Sequence, residues 1–414
     1  MNIVERTTRT PRTMEAGDLA PWVATFADEL GSLGHTPLTV RGYTDCARHF
    51  AAWIAIANIG LDEVSDGSVD RFRKHRCRCG GFRRDVPRSS KYLNRVYRFV
   101  AFLAGRGIIA PLSEAATISV DPHVGDYQEW LTRHRGIREL TAARHGRMVM
   151  RLLPSLRAEP QAYGPATIRM AILQEARHCS AAYTKTMTTA LRGYLRFLAA
   201  GDLCRPGLEH AVPVIPHWRL SSLPRYLSAD QVERLIASCD PDTRRGVRDR
   251  AILLLLARLG LRAGDILEMH VGDIDWRSGT LRVKGKGRRE TRLPLPQDAG
   301  DAVLCYLDGS RPSVNGDRMF LRSIAPFRPF SSSPTISKIV DMALKRAGID
   351  DPPSHGANLL RHSAATHLLR GGATLQSVGA ILRHKSLETT VLYAKVDLNM
   401  LARVAQPWPG DVTC

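Results

Sequence analysis

Four prolines in residues 206–227 (PGLEHAVPVIPHWRLSSLPRYL) constrain this chain more than any other feature. Pro206, Pro213, Pro216 and Pro224 each lack a backbone N–H and lock φ, so no helix can run through the stretch. It reads as an extended linker that divides the 414 residues into two halves. That length exceeds one ordinary hydrophobic core, so two or three domains are expected. Hydrophobic residues make up 44%, enough to fill such cores and to exclude global disorder.

The N-terminal half shows a faint duplication. LTVRGYTDCARHFAAWI from Leu38 is similar to LTAARHGRMVMRLLPSL from Leu140, and RFVAFLAGRGI from Arg98 to GYLRFLAAGDL from Gly193. Both copies carry apolar residues at helical spacing, which predicts two small all-helical modules, residues 1–111 and 112–205. Within the first lies RFRKHRCRCGGFRRDVPRSSKYLNRVYR (71–98), dense in Arg and Lys with Phe82, Tyr92 and Tyr97 interleaved. The formal charge of the whole chain is +19, which calls for a polyanionic partner, nucleic acid before membrane surface. Arg73, Lys74, Arg83, Arg84, Arg88, Lys91 and Arg95 are the expected contacts to a phosphate backbone.

The apolar run AILLLLA at 251–257 ends at Arg258, too short to span a bilayer. The opening MNIVERTTRTPRTMEAGD has no apolar core of the secretory kind. Eight cysteines, scattered except for Cys77 and Cys79, do not form a disulfide framework, and a reducing cytoplasm is the expected location. His75, Cys77 and Cys79 could be metal ligands. A zinc site usually takes four, and no second cluster is obvious, so the expectation is thiols in a basic surface loop and no metal.

The C-terminal half, 228–414, opens with LSADQVERLIASC, where Ser228 and Gln231 make a capping box. RDRAILLLLARLGLRAGDILEMHVGDIDW follows, predicting a buried helix, a break at Gly260 and a second helix. GTLRVKGKGRRETRLPLP alternates apolar residues on both sides of Gly285-Lys286-Gly287, the pattern of a β-hairpin. From 334 onward the pattern is helical again. The expected fold is mostly α, with one small antiparallel sheet in an α+β C-terminal domain.

Four segments then stand out: GLRAGDIL (260–267), KGKG (284–287), NLLRHSAATHLL (358–369) and LRHKSLETTVLYAKV (382–396). In that order they resemble the tyrosine recombinase (phage integrase) family, site-specific recombinases of the mobile-element type. The resemblance implies a DNA breaking-rejoining catalytic domain from about 226 to 396. It also implies a SAM-like core-binding module at 112–205, preceded by an extra DNA-binding module. It assigns catalytic roles to Arg262, Lys286, Asn358, Arg361, His384 and Tyr393, with Asp265 in support.

The residues carry the chemistry on their own terms. Breaking a phosphodiester needs a nucleophile, stabilisation of the non-bridging oxygens and a proton for the leaving oxygen. No metal cluster and no glycine-rich loop ending in GK[ST] is evident, so two-metal hydrolysis and ATP-driven ligation are disfavoured. Arginine grips a phosphoryl group through two parallel hydrogen bonds, a role that suits Arg262 and Arg361. Tyr393 as nucleophile has an ordinary pKa near 10 and needs activation by its surroundings. The resemblance implies a 3′-phosphotyrosine whose ester energy is conserved, so no cofactor is expected. Lys286 would protonate the departing 5′-oxygen; strand alternation cannot separate it from Lys284, and the resemblance favours Lys286. His384 would donate to the phosphate, and Asp265 would orient an arginine or His384. Arg383 stands where the family has glycine, which would alter the backbone or add a DNA contact.

Asn358 stands where the family has His or Lys. Its amide donates a hydrogen bond but shuttles no proton. His355 is expected at or before the helix start, and His362, about 100° round the helix, reads as structural. The expected protein is a working, slow recombinase on double-stranded DNA, a tetramer on two sites, acting alone or with related recombinases. A catalytically silent DNA-binding accessory protein is the competing reading, and topoisomerase IB-like relaxation a third. Leu398, Leu401 and Val404 offer an apolar face that docks on a neighbour or packs within one protomer.

Overall fold

A computed structural model describes residues 17–77, 79, 89–111, 121–156, 159–216, 223–284, 290–384, 386 and 388–396. Lys286, Arg83, Arg84, Arg88, Leu398, Leu401 and Val404 lie outside the described residues. The chain divides into two compact units, one of residues 110–221 and one of 1–109 with 222–414.

The duplication seen in the sequence has a structural counterpart. The first copy holds α1 (Ala20–Ser32), α2 (Pro37–Ile56), α3 (Asp66–Lys74) and α4 (Ser90–Gly105). The second holds α5 (Pro122–Arg135), α6 (Glu139–Leu152), α7 (Pro165–Ala176) and α8 (Ala181–Ala200). Pairings repeat in order: α1 on α2, α2 on α4 and α3 on α4 correspond to α5 on α6, α6 on α8 and α7 on α8. Helix starts repeat as well. Ser89 accepts from the Tyr92 N–H at the start of α4, and Ser180 from the Tyr183 N–H at the start of α8. Phe26, Phe50, Phe72 and Phe99 fill the first core; Tyr127, Leu191 and Tyr194 fill the second.

Two expectations need correction here. Cys77 and Cys79 are not surface thiols: they are 5% and 3% exposed, because the chain leaving α3 folds back against α2, where Trp53 and Phe72 flank His75. Nor is all of 206–227 a free linker. Leu208 and Val212 join the core of the second copy, and Arg192 of α8 donates to the carbonyls of Val212 and Pro213 at 2.9 and 3.0 Å. Among its described residues the segment holds no α-helix, only a short 3₁₀ turn at Leu208–Ala211 with non-helical chain around it.

The C-terminal part is built around α10 (Arg244–Leu259), whose Leu253–Leu256 are at most 1% exposed. α9 (Ala229–Ala237) precedes it, with the capping box between Ser228 and Gln231 in place. After α11 (Ala263–Glu268) come β1 (Ile274–Asp275), β2 (Thr280–Lys284) and β3 (Glu290–Pro294), an antiparallel sheet in sequence order. Leu281 pairs with Leu293, and both point into the core shared with α10. α12 (Gln297–Cys305) and α13 (Ser333–Arg346) complete that core. α14 (Ala357–Arg370), α15 (Leu375–Ile381) and α16 (Glu388–Ala394) follow, and Ala365, Leu369, Val378, Leu382 and Tyr393 form a second, smaller cluster. Mostly α with one small antiparallel sheet is the fold observed.

Gly260 ends α10 in the left-handed region (φ +57°), and a Cβ there would lie 2.5 Å from Leu382 Cδ2. Gly260→Ala should therefore lower stability by about 1–3 kcal/mol, read as a lower urea midpoint with an unchanged slope. An unchanged midpoint would show that the turn tolerates a side chain.

Candidate active site

The turn at Gly260 delivers Arg262 to the N-cap of α11. Its backbone N–H donates to Asp265 Oδ2 at 2.7 Å, so Asp265 fixes the backbone from which the guanidinium projects. Arg262 Nη2 reaches the carbonyl of Arg383 at 3.3 Å.

Arg361, in the second turn of α14, is 6% exposed. Its Nη1 donates to the Gly260 carbonyl and its Nη2 to the Leu382 carbonyl. One planar fork thus ties the end of α10 to the residue after α15. Burial, and next the Arg262 guanidinium, push the Arg361 pKa down to about 10. It remains protonated at neutral pH, and the charged form is disfavoured by its surroundings. Burial lowers Arg262 as well, with Arg383 adding to the effect and Asp265 opposing it.

Arg383 has φ +55°, the conformation in which glycine costs least. Its side chain turns inward and pairs with Asp265 Oδ2, the two side chains being 8% and 9% exposed. Among the described residues, no hydrogen-bond partner meets its buried Nε and Nη1. Arg262, Arg361 and Arg383 therefore gather round one carboxylate, Asp265. Such an excess of guanidinium charge in a partly desolvated place can hold an anion with several oxygens.

Tyr393 comes from α16 and is 2% exposed. Burial pushes its pKa up, and Arg361 pulls it back. The His384 ring lies parallel to the phenol ring, centroids 6.3 Å apart, and its Nδ1 is 2.8 Å from Thr390 Oγ1. The phenol hydroxyl is 2.8 Å from Nδ1 of His362. His362, expected to be structural, is thus in direct contact with the phenol. It does point away from the Asn358–Arg361 face, but α16 packs across α14 on that side and brings the tyrosine to it. Burial, then Arg361, lower the His362 pKa, so the ring is neutral at pH 7.

Asn358 is exposed in the first turn of α14. His355 lies before that helix, exposed, with Nδ1 3.6 Å from Asp341, and does not join the site. Lys284 is exposed at the end of β2, opposite Glu290. In the basic segment Arg73, Lys74 and Lys91 are exposed. Arg95 is half-buried: it donates to the Gly42 carbonyl at 3.1 Å and covers the Tyr43 ring at 5.3 Å.

Residues 225–400 match the phage integrase family. A Sinorhizobium fredii protein named for integrase/recombinase, y4rA, is 35% identical over 403 residues, 95% of this chain and 96% of its own length. This chain belongs to the phage integrase family, the tyrosine recombinases. A Xanthomonas axonopodis pv. citri protein named tyrosine recombinase XerD is 36% identical over 182 residues, 42% of this chain and 59% of that one. Among solved structures, a lambda integrase dimer bound to a COC′ core site matches with a TM-score of 0.53 and 17% identity, covering 82% of this chain and 95% of that chain. XerH recombinase bound to a palindromic difH substrate matches at 0.50 and 17%, covering 95% and 97%. At those identities the shared property is the fold. Membership makes the chain an enzyme, a tyrosine-type site-specific DNA recombinase.

Because its folded pKa lies below the ordinary value, buried neutral His362 contributes stability above about pH 6.5 that is lost as pH falls through the folded pKa. His35, His145 and His367 are lowered in the same direction, so the comparison must be between proteins. Urea midpoints followed from pH 7.5 to 5 should fall more steeply for the wild-type recombinase than for His362→Gln. Identical slopes would remove His362 from the buried titrating groups.

Proposed function

We propose that this recombinase cuts and rejoins double-stranded DNA through a 3′-phosphotyrosine at Tyr393, serving integration, excision or transposition of a mobile element. The carrying observation is the phenol beside the buried Arg361, with Arg262 and His384 around it. Of the five N–H donors on a guanidinium, Arg361 commits two to the Gly260 and Leu382 carbonyls. The remainder, with Arg262 and Arg383, can grip the non-bridging oxygens of a scissile phosphate. The names of the family relatives support DNA as the substrate, and the charge of +19 suits it.

The step balances without a cofactor. Tyr393 Oη bonds to phosphorus, the bond from phosphorus to the 5′-oxygen breaks, and that oxygen takes a proton from Lys286. The phenol proton passes to His362 Nδ1 as the new bond forms, with the imidazole's own proton on Nε2. Asn358 can position the phosphate through its amide; His362 takes the proton that asparagine cannot. Rejoining is the same step reversed. Tyr393 is 2% exposed, so α16 must shift before a duplex reaches it, and assembly of four protomers on two sites would provide that trigger. Arg73, Lys74, Arg83, Arg84, Arg88 and Lys91 hold the DNA backbone, Arg95 being turned to Gly42 and Tyr43, with 1–111 and 112–205 as its helical clamps and 228–414 as the catalytic domain.

A nicked suicide substrate should trap a covalent protein–DNA adduct that Tyr393→Phe abolishes. His362→Ala should slow adduct formation by about 10²–10⁴-fold, the worth of one acid–base group, and Asn358→His should gain much less. Intact DNA binding with no wild-type adduct would favour the silent accessory role instead.

A further inference from the structure

We infer that the first helical copy holds a structural zinc ion between His49, His75, Cys77 and Cys79. One ligand atom from each of these side chains lies within 4.8 Å of all the others. The donor set, two imidazole nitrogens and two thiolate sulfurs, is the one tetrahedral zinc prefers over oxygen-seeking cations. With bonds of about 2.0–2.3 Å, the edges of a zinc tetrahedron are about 3.3–3.8 Å long. His49 Nε2 is 3.3 Å from Cys77 Sγ, and His75 Nε2 is 3.7 Å from Cys79 Sγ.

The surroundings point the same way. His75 Nδ1 is 2.5 Å from the Phe72 carbonyl oxygen. That oxygen can only accept, so the His75 proton sits on Nδ1 and the Nε2 lone pair faces the cluster. His49 Nδ1 is 2.7 Å from the Tyr92 hydroxyl, which can accept its proton, and its Nε2 faces Cys77 Sγ. A ligating histidine that donates its other ring N–H to a backbone carbonyl, as His75 does, is a usual outer arrangement of a metal site. His49, Cys77 and Cys79 are 3%, 5% and 3% exposed, and Phe72 stacks on His75 with ring centroids 4.7 Å apart. Binding would cross-link α2 to the chain leaving α3, just ahead of Arg83, Arg84 and Arg88 in the sequence. The expected role is therefore to stiffen the base of the basic segment, apart from the chemistry at Tyr393.

The test measures metal and stability, neither of which depends on recombinase activity. Full-length protein purified under reducing conditions without chelator should carry about one zinc per chain by elemental analysis, as a folding-coupled site does. Chelation should lower the Tm and added zinc restore it. Cobalt(II) in its place should give the visible spectrum of a tetrahedral thiolate site. Cys77→Ser and Cys79→Ser should lose the metal, while Cys305→Ser, an exposed thiol elsewhere, keeps it. If the cluster variants do not fold, the wild-type metal content and the cobalt spectrum still decide. Wild-type protein that retains less than about a tenth of an equivalent, and whose Tm ignores both zinc and cobalt, would overturn the site.

Discussion

The guanidinium of Arg361 is the joint on which the catalytic part turns. It is buried, and it spends two donors on the carbonyls of Gly260 and Leu382. Those carbonyls belong to the end of α10 and the residue after α15, so one side chain sets the spacing between the element that carries Arg262 and the segment that leads to His384 and Tyr393. Burying a cation this way is expensive, and two neutral acceptors offset only part of it. Asp265 cannot neutralise three arginines, and it is already engaged with the Arg262 backbone and the Arg383 side chain. The remaining positive charge is a standing cost in the protein alone, and a phosphate would relieve it. In the proposed function, stability given up here becomes affinity for the scissile phosphate.

The tyrosine is held differently. α16 is a seven-residue helix whose Tyr393 belongs to a small cluster with Ala365, Leu369, Val378 and Leu382, apart from the larger core round α10. A satellite cluster of that kind opens at lower cost than the main core. The phenol thus sits in the smaller cluster, and Arg361 bridges that cluster, through Leu382, to the end of α10. In the proposed mechanism, that placement suits a nucleophile that stays idle until its substrate is in place.

Much of the fold was legible in the sequence for plain reasons. Helical spacing, serine caps, the Gly260 break and the alternation on both sides of residues 285–287 are local signals, and they produced the helical copies, the α10–α11 turn and the β2–β3 pair. Motif order singled out Arg262, Arg361, His384 and Tyr393, which the fold brings near one another. What escaped depends on packing between segments far apart in the chain. His362 meets Tyr393 only because α16 crosses α14, 31 residues on, which a helical wheel of α14 alone cannot show. His49 meets Cys77 because the chain after α3 folds back on α2, and a single histidine in an apolar helix gives no hint of it. From the sequence, Arg383 is expected to alter the backbone or add a DNA contact; its inward turn to Asp265 depends on a left-handed residue whose geometry no spacing reports. Leu208 and Val212 pack on the second copy despite the prolines, because a proline-rich segment is barred from helix but not from burial.

Mass spectrometry of the trapped protein–DNA complex tests the central claim most directly. After nuclease and protease digestion, the peptide carrying a residual nucleotide should contain Tyr393 alone among the ten tyrosines. A nucleotide on any other residue would contradict the account, and would mean that the guanidinium cluster round Arg361 serves another purpose.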